Sequence, residues 1–343
     1  MPAKLMSAAG GGITLGAAST ATDKTITVPA DNGTMALTSQ INGFRSRIIN
    51  GLMTINQRVL TGPTSGYFVD RWQVGGVSAT SLQTSGLPTG FAQAVSINRT
   101  VAGTAYISQN IESKNVTDLN GQVVTVSFYA KNVSGVGSIT VNLAYANASD
   151  NFSGVTSIQT ITASASPSSS WTYYMATFSA LPSSVANGLQ LNISAVIAAS
   201  GTLEITGVQL EKGSVATGFD YRPYGTELAL CQRYYYRIVS SGSNANILGT
   251  GLNDATTTAQ IQFSFPVTMR TSPTSIEQSG TATNYALRHG GGATVCSSVP
   301  VFVDAGQYTA TVLFTVASGL TTGGAALGRA ATAGAYIGFP AEL

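Results

Sequence analysis

Gln122-Val123-Val124-Thr125-Val126-Ser127-Phe128-Tyr129-Ala130 alternates apolar and polar side chains from Val124 onward. Val124, Val126, Phe128 and Ala130 fall on one face, and Thr125, Ser127 and Tyr129 on the other. A period of two is the mark of a half-buried strand, because successive side chains point to opposite sides of a sheet. Ser138 to Tyr145 repeats it with Ile139, Val141, Leu143 and Tyr145 on one side. Trp171 to Phe178, Leu189 to Val196, Leu203 to Leu210, Ala259 to Phe265 and Thr309 to Val316 behave alike. Gly, Ser, Asn and Pro punctuate these runs, and long 3.6-period runs of Ala, Leu, Glu and Lys are missing. The pattern predicts an all-β chain built of antiparallel sandwiches.

Composition narrows the function. The 343 residues carry 16 Lys+Arg and 14 Asp+Glu, so 9% are charged, against about 25% in an ordinary domain. With 14 Tyr, 12 Phe and 2 Trp the chain is too aromatic to be disordered. A net charge of +2 gives no field to attract nucleic acid. No apolar stretch reaches the roughly 18 residues of a membrane-spanning helix, and no signal peptide is visible at the start. Synthesis in a cytoplasm is therefore expected, with Cys231 and Cys296 reduced. One histidine, His289, in a glycine-rich loop, leaves little for histidine-based metal binding or catalysis.

Low charge also bears on association. Sheet edges are commonly guarded by charge, and uncharged polar surfaces tend to associate. A homo-oligomer is the expected state.

Three regions differ in texture. Residues 1–40 are short, polar and rich in small residues, and cannot bury a core of their own. Within them Asp23 to Thr34 reads as a strand followed by an Asn-Gly turn. Residues 41–224 hold the first large β region, and residues 225–343 the second. At the start of the middle region, Ile41, Phe44, Ile48 and Ile55 have helix-compatible spacing. Gly43 and Gly51 argue against a helix and favour strand and turn. Arg233-Tyr234-Tyr235-Tyr236-Arg237 reads as a first strand whose aromatics pack between subunits.

Several segments resemble tailed-bacteriophage fibre proteins. Asp23 to Thr34 resembles an N-terminal segment common among them, and Arg47 to Arg58 followed by Tyr67 to Trp72 resembles the opening of their next module. Val208 to Gly213 with Ala216 to Pro223 resembles that module's end. Leu230 to Tyr235 and Phe265 to Thr274 resemble parts of a C-terminal domain. The middle module is also similar in layout to carbohydrate-binding jelly rolls, with Asn50-Gly51, Trp72 and Val208 to Glu211 in the matching places.

The resemblance implies a virion-attachment segment (1–40), a jelly-roll module (41–224) and a C-terminal β-sandwich head (225–343), assembled as a homotrimer. It implies a virion protein, on tail, baseplate or head, whose N-terminus meets other virion proteins and whose head or jelly roll meets a host-surface glycan. The alternative it allows is a capsid decoration or baseplate component with a purely structural role. No enzyme is expected, since the few acids form no local pair of the kind glycosidases use.

Sugars are held by flat aromatic faces and by amides, carboxylates or Arg at their hydroxyls. Tyr106, Tyr129, Tyr145, Trp171, Tyr173 and Tyr174 are available in the middle module. Alternation turns Tyr145 to the core and Tyr129 outward; of the adjacent Tyr173 and Tyr174, one must face out. Tyr129, Tyr173 and Tyr174 are the expected glycan contacts. No cofactor is expected beyond a structural calcium of the kind such modules hold, for which Asp70, Glu204 and Glu211 are the candidate ligands. The competing assignments pair Asp70 with Arg71 or a turn, and Glu211 with Lys212 or Arg222.

Overall fold

The computed structural model describes residues 3–6, 12–15, 45–60, 62–242 and 247–343. Contacts divide the chain into Met1–Asn42 and Gly43–Leu343. In the first, strand β1 (Ala3–Met6) pairs antiparallel with β2 (Gly12–Leu15). The strand and turn expected over Asp23 to Thr34 lie outside the described residues.

The second unit opens with one curled sheet of nine strands. These are β3 (Gly66–Tyr67), β4 (Gln73–Gly75), β5 (Ala79–Gln83), β6 (Ala94–Arg99) and β7 (Gly103–Ile111). Four more follow: β8 (Val124–Ala148), β9 (Asn151–Ser164), β10 (Thr172–Phe178) and β11 (Leu189–Lys212). The alternating stretches at 122–130 and 138–145 belong to one 25-residue strand, β8. Its antiparallel partner β11 has 24 residues.

These two strands are long enough to serve both layers of a jelly-roll-like sandwich. The first half of β8 and the second half of β11 lie with β10, β6 and β5. Their other halves lie with β9, β7, β4 and β3. Register shifts between Val196 and Leu203 mark the bend. Gly135 sits there with φ +64°, and a Cβ on it would lie 1.8 Å from the Ser200 carbonyl oxygen. Only glycine permits that backbone contact. Both layers feed one core: Val126, Phe128, Ile139, Val141, Ile193, Leu203 and Ile205 belong to a single buried cluster.

A second sandwich follows the helix α1 (Tyr224–Gln232). Its strands are β12 (Tyr235–Val239), β13 (Ile247–Asn253), β14 (Thr258–Ser264), β15 (Glu277–Gln278) and β16 (Tyr285–His289). They continue as β17 (Gly292–Val295), β18 (Val301–Ala305), β19 (Thr309–Thr315), β20 (Ala325–Ala330) and β21 (Tyr336–Pro340). A seven-stranded sheet runs β17-β16-β20-β13-β14-β19-β18, beside a three-stranded sheet β12-β21-β15. Phe263, Phe314 and Tyr285 from the large sheet share a core with Ile337 and Phe339 from the small one.

As expected, residues 45–60 form turns and no helix, but the strand also expected there is irregular chain instead. Residues 224–232 form α1, a helix in a chain expected to be all-β. Tyr234 and Tyr235 are buried within this chain rather than between subunits. Their rings lie under guanidinium groups: Arg71 is 3.6 Å from the Tyr234 centroid and Arg58 3.6 Å from that of Tyr235.

Asn50, Gly51 and Trp72, the jelly-roll-like landmarks, form a structural knot. The Asn50 side chain donates to the carbonyls of Ile55 (2.8 Å) and Asp70 (2.9 Å) and accepts from the Ile55 amide (3.0 Å). The Trp72 indole donates to the Asn50 carbonyl at 2.9 Å. Beside the knot, Arg71 and Arg58 both meet the Glu342 carboxylate, the latter at 3.3 Å. Arg233 meets Glu112 at 2.9 Å, and the Tyr234 hydroxyl donates to the same carboxylate at 3.1 Å. Buried charge is tolerable here because each group is paired and hydrogen-bonded.

Candidate functional site

The outward face of the β10–β8–β11 layer carries an open cavity. Alternation along β8 sends Val124, Val126 and Phe128 inward, so Tyr129 points out. Tyr129 pairs in register with Tyr173 on β10, and their rings lie 5.1 Å apart at 51°. Phe91, from the loop before β6, stands 5.1 Å from Tyr129 at 56°. Phe219 and Tyr221, from the segment after β11, stand 5.4 Å and 6.0 Å from Phe91. These five rings border an open cavity of about 390 Å³, completed by Thr89, Gly207, Gln209 and Ala216–Gly218.

The rings are held by specific contacts. Gly207 has φ +64°, and a Cβ on it would lie 2.5 Å from the Phe91 ring. The missing side chain lets Phe91 lie against the strand. The Tyr221 hydroxyl donates to the Gly90 carbonyl at 3.0 Å. Burial pushes the Tyr173 and Tyr221 phenols up, so both stay neutral donors near pH 7. Gln209 is buried, and its side-chain oxygen accepts from the Asp220 amide at 2.6 Å. Glu211, also buried, accepts from the Thr217 amide at 3.0 Å and so fixes the 213–219 loop as a wall. No Lys or Arg is among the residues lining the cavity.

The expected contacts fall in different places. Tyr129 and Tyr173 line the cavity, whereas Tyr174 does not. It lies on the inward face, 5.9 Å from Phe128, with its hydroxyl accepting from the Ser168 amide at 3.0 Å. Adjacent strand residues cannot share a face. Phe91, Gln209, Phe219 and Tyr221 were not anticipated as site residues, although the 219–221 alternation of aromatics was visible.

The three carboxylates expected at a calcium site each have other partners. Glu204 pairs with Lys131 at 3.4 Å. Glu211 serves the loop just described, so neither Lys212 nor Arg222 is its hydrogen-bond partner there; Arg222 pairs with Glu227 at 3.3 Å. Asp70 accepts from the Gln57 amide at 2.9 Å and from the Gln57 side chain, while Arg71 turns to Glu342. Among the described residues no group of three or more His, Cys, Asp or Glu is arranged to hold a metal ion.

Asp70 yields a pH prediction. Burial, opposed by the Gln57 donors, pushes its carboxyl up to about 6. An acid whose folded pKa lies above the unfolded value binds its proton more tightly in the folded state. Its contribution is full below pH 4 and is lost as pH rises to about 6, a fall of about 3 kcal/mol. Denaturant titrations of the wild type and Asp70→Asn from pH 4 to 7 should differ by that slope. Parallel profiles would contradict the assignment.

No family model matches the chain, and no curated protein matches it. Solved structures align with about half of it. One is the enzymatically active domain of bacteriophage CBA120 tailspike protein 4, at TM-score 0.35 and 13% identity, covering 49% of this chain and 22% of that one. Another is the module TmCBM61 in complex with β-1,4-galactotriose, at TM-score 0.33 and 14% identity, covering 49% and 99%. A third is the C-terminal family 22 carbohydrate-binding module of Clostridium thermocellum Xyn10B, at TM-score 0.32 and 15% identity, covering 46% and 94%.

Proposed function

We propose that this chain is a host-attachment subunit of a tailed-bacteriophage fibre that binds a neutral glycan in the cavity bordered by Phe91, Tyr129, Tyr173, Phe219 and Tyr221. The observation that carries the glycan part is the chemistry of that cavity. Its aromatic faces are tilted to one another, and apolar sugar faces stack on such rings. Thr89, Thr217 and the tyrosine hydroxyls offer neutral hydrogen-bonding groups at its border. With no cationic side chain in the lining, and the Glu211 carboxylate behind the loop, a sugar acid would find no counter-charge. The virion part rests on the ordered resemblance of five segments. On this reading residues 1–40 attach the subunit to the particle, and homotrimeric copies convert weak single contacts into firm adhesion.

The test is a glycan array probed with the full chain. Neutral oligosaccharides should be retained and their uronate or sialylated counterparts should not. Selective retention of the acidic set, or no retention of any glycan, would refute the reading.

A further inference from the structure

We propose that the outer face of the seven-stranded sheet is a head-to-tail interface with a second copy of this chain, its arginine flank meeting the aspartate edge of the neighbour. The inference rests on the multi-copy part of the reading above and assigns it a surface.

Register defines the face. One row of cross-strand neighbours runs Arg288, Leu327, Thr250, Gln262, Thr311, Asp304 through β16, β20, β13, β14, β19 and β18. The parallel row runs Ala325, Leu252, Gln260, Leu313, Val301. Opposite-facing neighbours Leu287, Ile261, Val312 and Phe314 are buried in the core, so these rows face out. Leu252 and Val301 are more than half exposed, at 54% and 53%.

Charge on this face is segregated. Arg288 marks one flank, with Arg329 on the neighbouring strand, and Asp304 marks the opposite edge. Between Arg288 and Asp304 the row holds no charged residue, across six strands or about 24 Å. Arg288 and Asp304 are both exposed, and none of the ion pairs among the described residues includes either. A face that is uncharged in its middle and oppositely charged at its ends lets the arginine flank of one copy meet the aspartate edge of the next. Such a heterologous contact closes into a ring when the rotation allows. A two-fold contact with antiparallel rows would also bring Arg288 to Asp304; association that stops at two copies would overturn the head-to-tail arrangement.

Sedimentation velocity of the full chain and three variants decides the matter. Arg288→Asp and Asp304→Arg should each move the association midpoint to at least about tenfold higher concentration, since like charges then face each other. The double reversal restores opposite charges and should return the midpoint to within about threefold of wild type. Single reversals without effect, or a double reversal no tighter than the singles, would overturn this interface while leaving an oligomer in place. A wild type that sediments as one copy at every concentration would overturn the multi-copy reading as well. Glycan binding, read separately on the array, is untouched by either result.

Discussion

Glu342→Ala should destabilise the chain by about 3–5 kcal/mol, read as a shift of the denaturant midpoint at constant slope. The Arg71 side chain is only 1% exposed and that of Arg58 5%, and both meet the Glu342 carboxylate. Removing that carboxylate leaves the Arg71 guanidinium buried without a counter-charge, and Arg58 with only the more exposed Glu277, 3.6 Å away. Their stacking on Tyr234 and Tyr235 remains, but a ring face does not replace an anion. The surface pair Arg47–Asp118, at 27% and 51% exposure, provides the contrast. Asp118→Ala should cost under about 1 kcal/mol, because water already screens that pair. Equal losses in the two variants would show that the Glu342 cluster contributes no more than an exposed pair.

Tyr129→Ala should weaken glycan binding by about thirtyfold, or about 2 kcal/mol, as expected for a central aromatic contact. Tyr129 touches both Phe91 and Tyr173, so its loss removes the centre of the aromatic wall. Tyr174→Phe, at the residue directly after the lining Tyr173, should leave affinity unchanged, since that ring faces the core. Calorimetric titration of both variants with the glycan selected on the array checks the pair. Equal affinity in Tyr129→Ala and wild type would place the sugar elsewhere.

The strands were legible in the sequence because alternation is a local property. Val124, Val126 and Phe128 mark their face without knowledge of any partner. That β8 runs unbroken through Lys131 to Gly137 was not legible. Those residues look like a turn, and they stay in the sheet only because β11 bends with them at Gly135 and Gly201. Tertiary contact, not local propensity, keeps that stretch extended. Helix α1 was hidden for a similar reason. Nine residues after a proline carry too little periodicity to stand out, and their buried side chains, Glu227 and Cys231, are set by the junction they fill.

The candidate site divides the same way. Tyr129 and Tyr173 stand on strands, so their outward direction follows from their neighbours. Phe91, Phe219 and Tyr221 come from connecting segments far apart in the chain, and only folding brings them to the same cavity. Asn50, Gly51 and Trp72, by contrast, stood out as landmarks and are joined in a backbone knot that does not itself line the cavity, although Gly51 packs behind it against Val208 and Phe219.

Determining the structure of the full chain with its selected glycan is the most direct test of the central claim. A sugar ring against Tyr129 or Tyr173, with hydroxyls meeting Thr89 or Thr217, is the predicted result. A glycan ordered on any other face, with these rings uncovered, would contradict it.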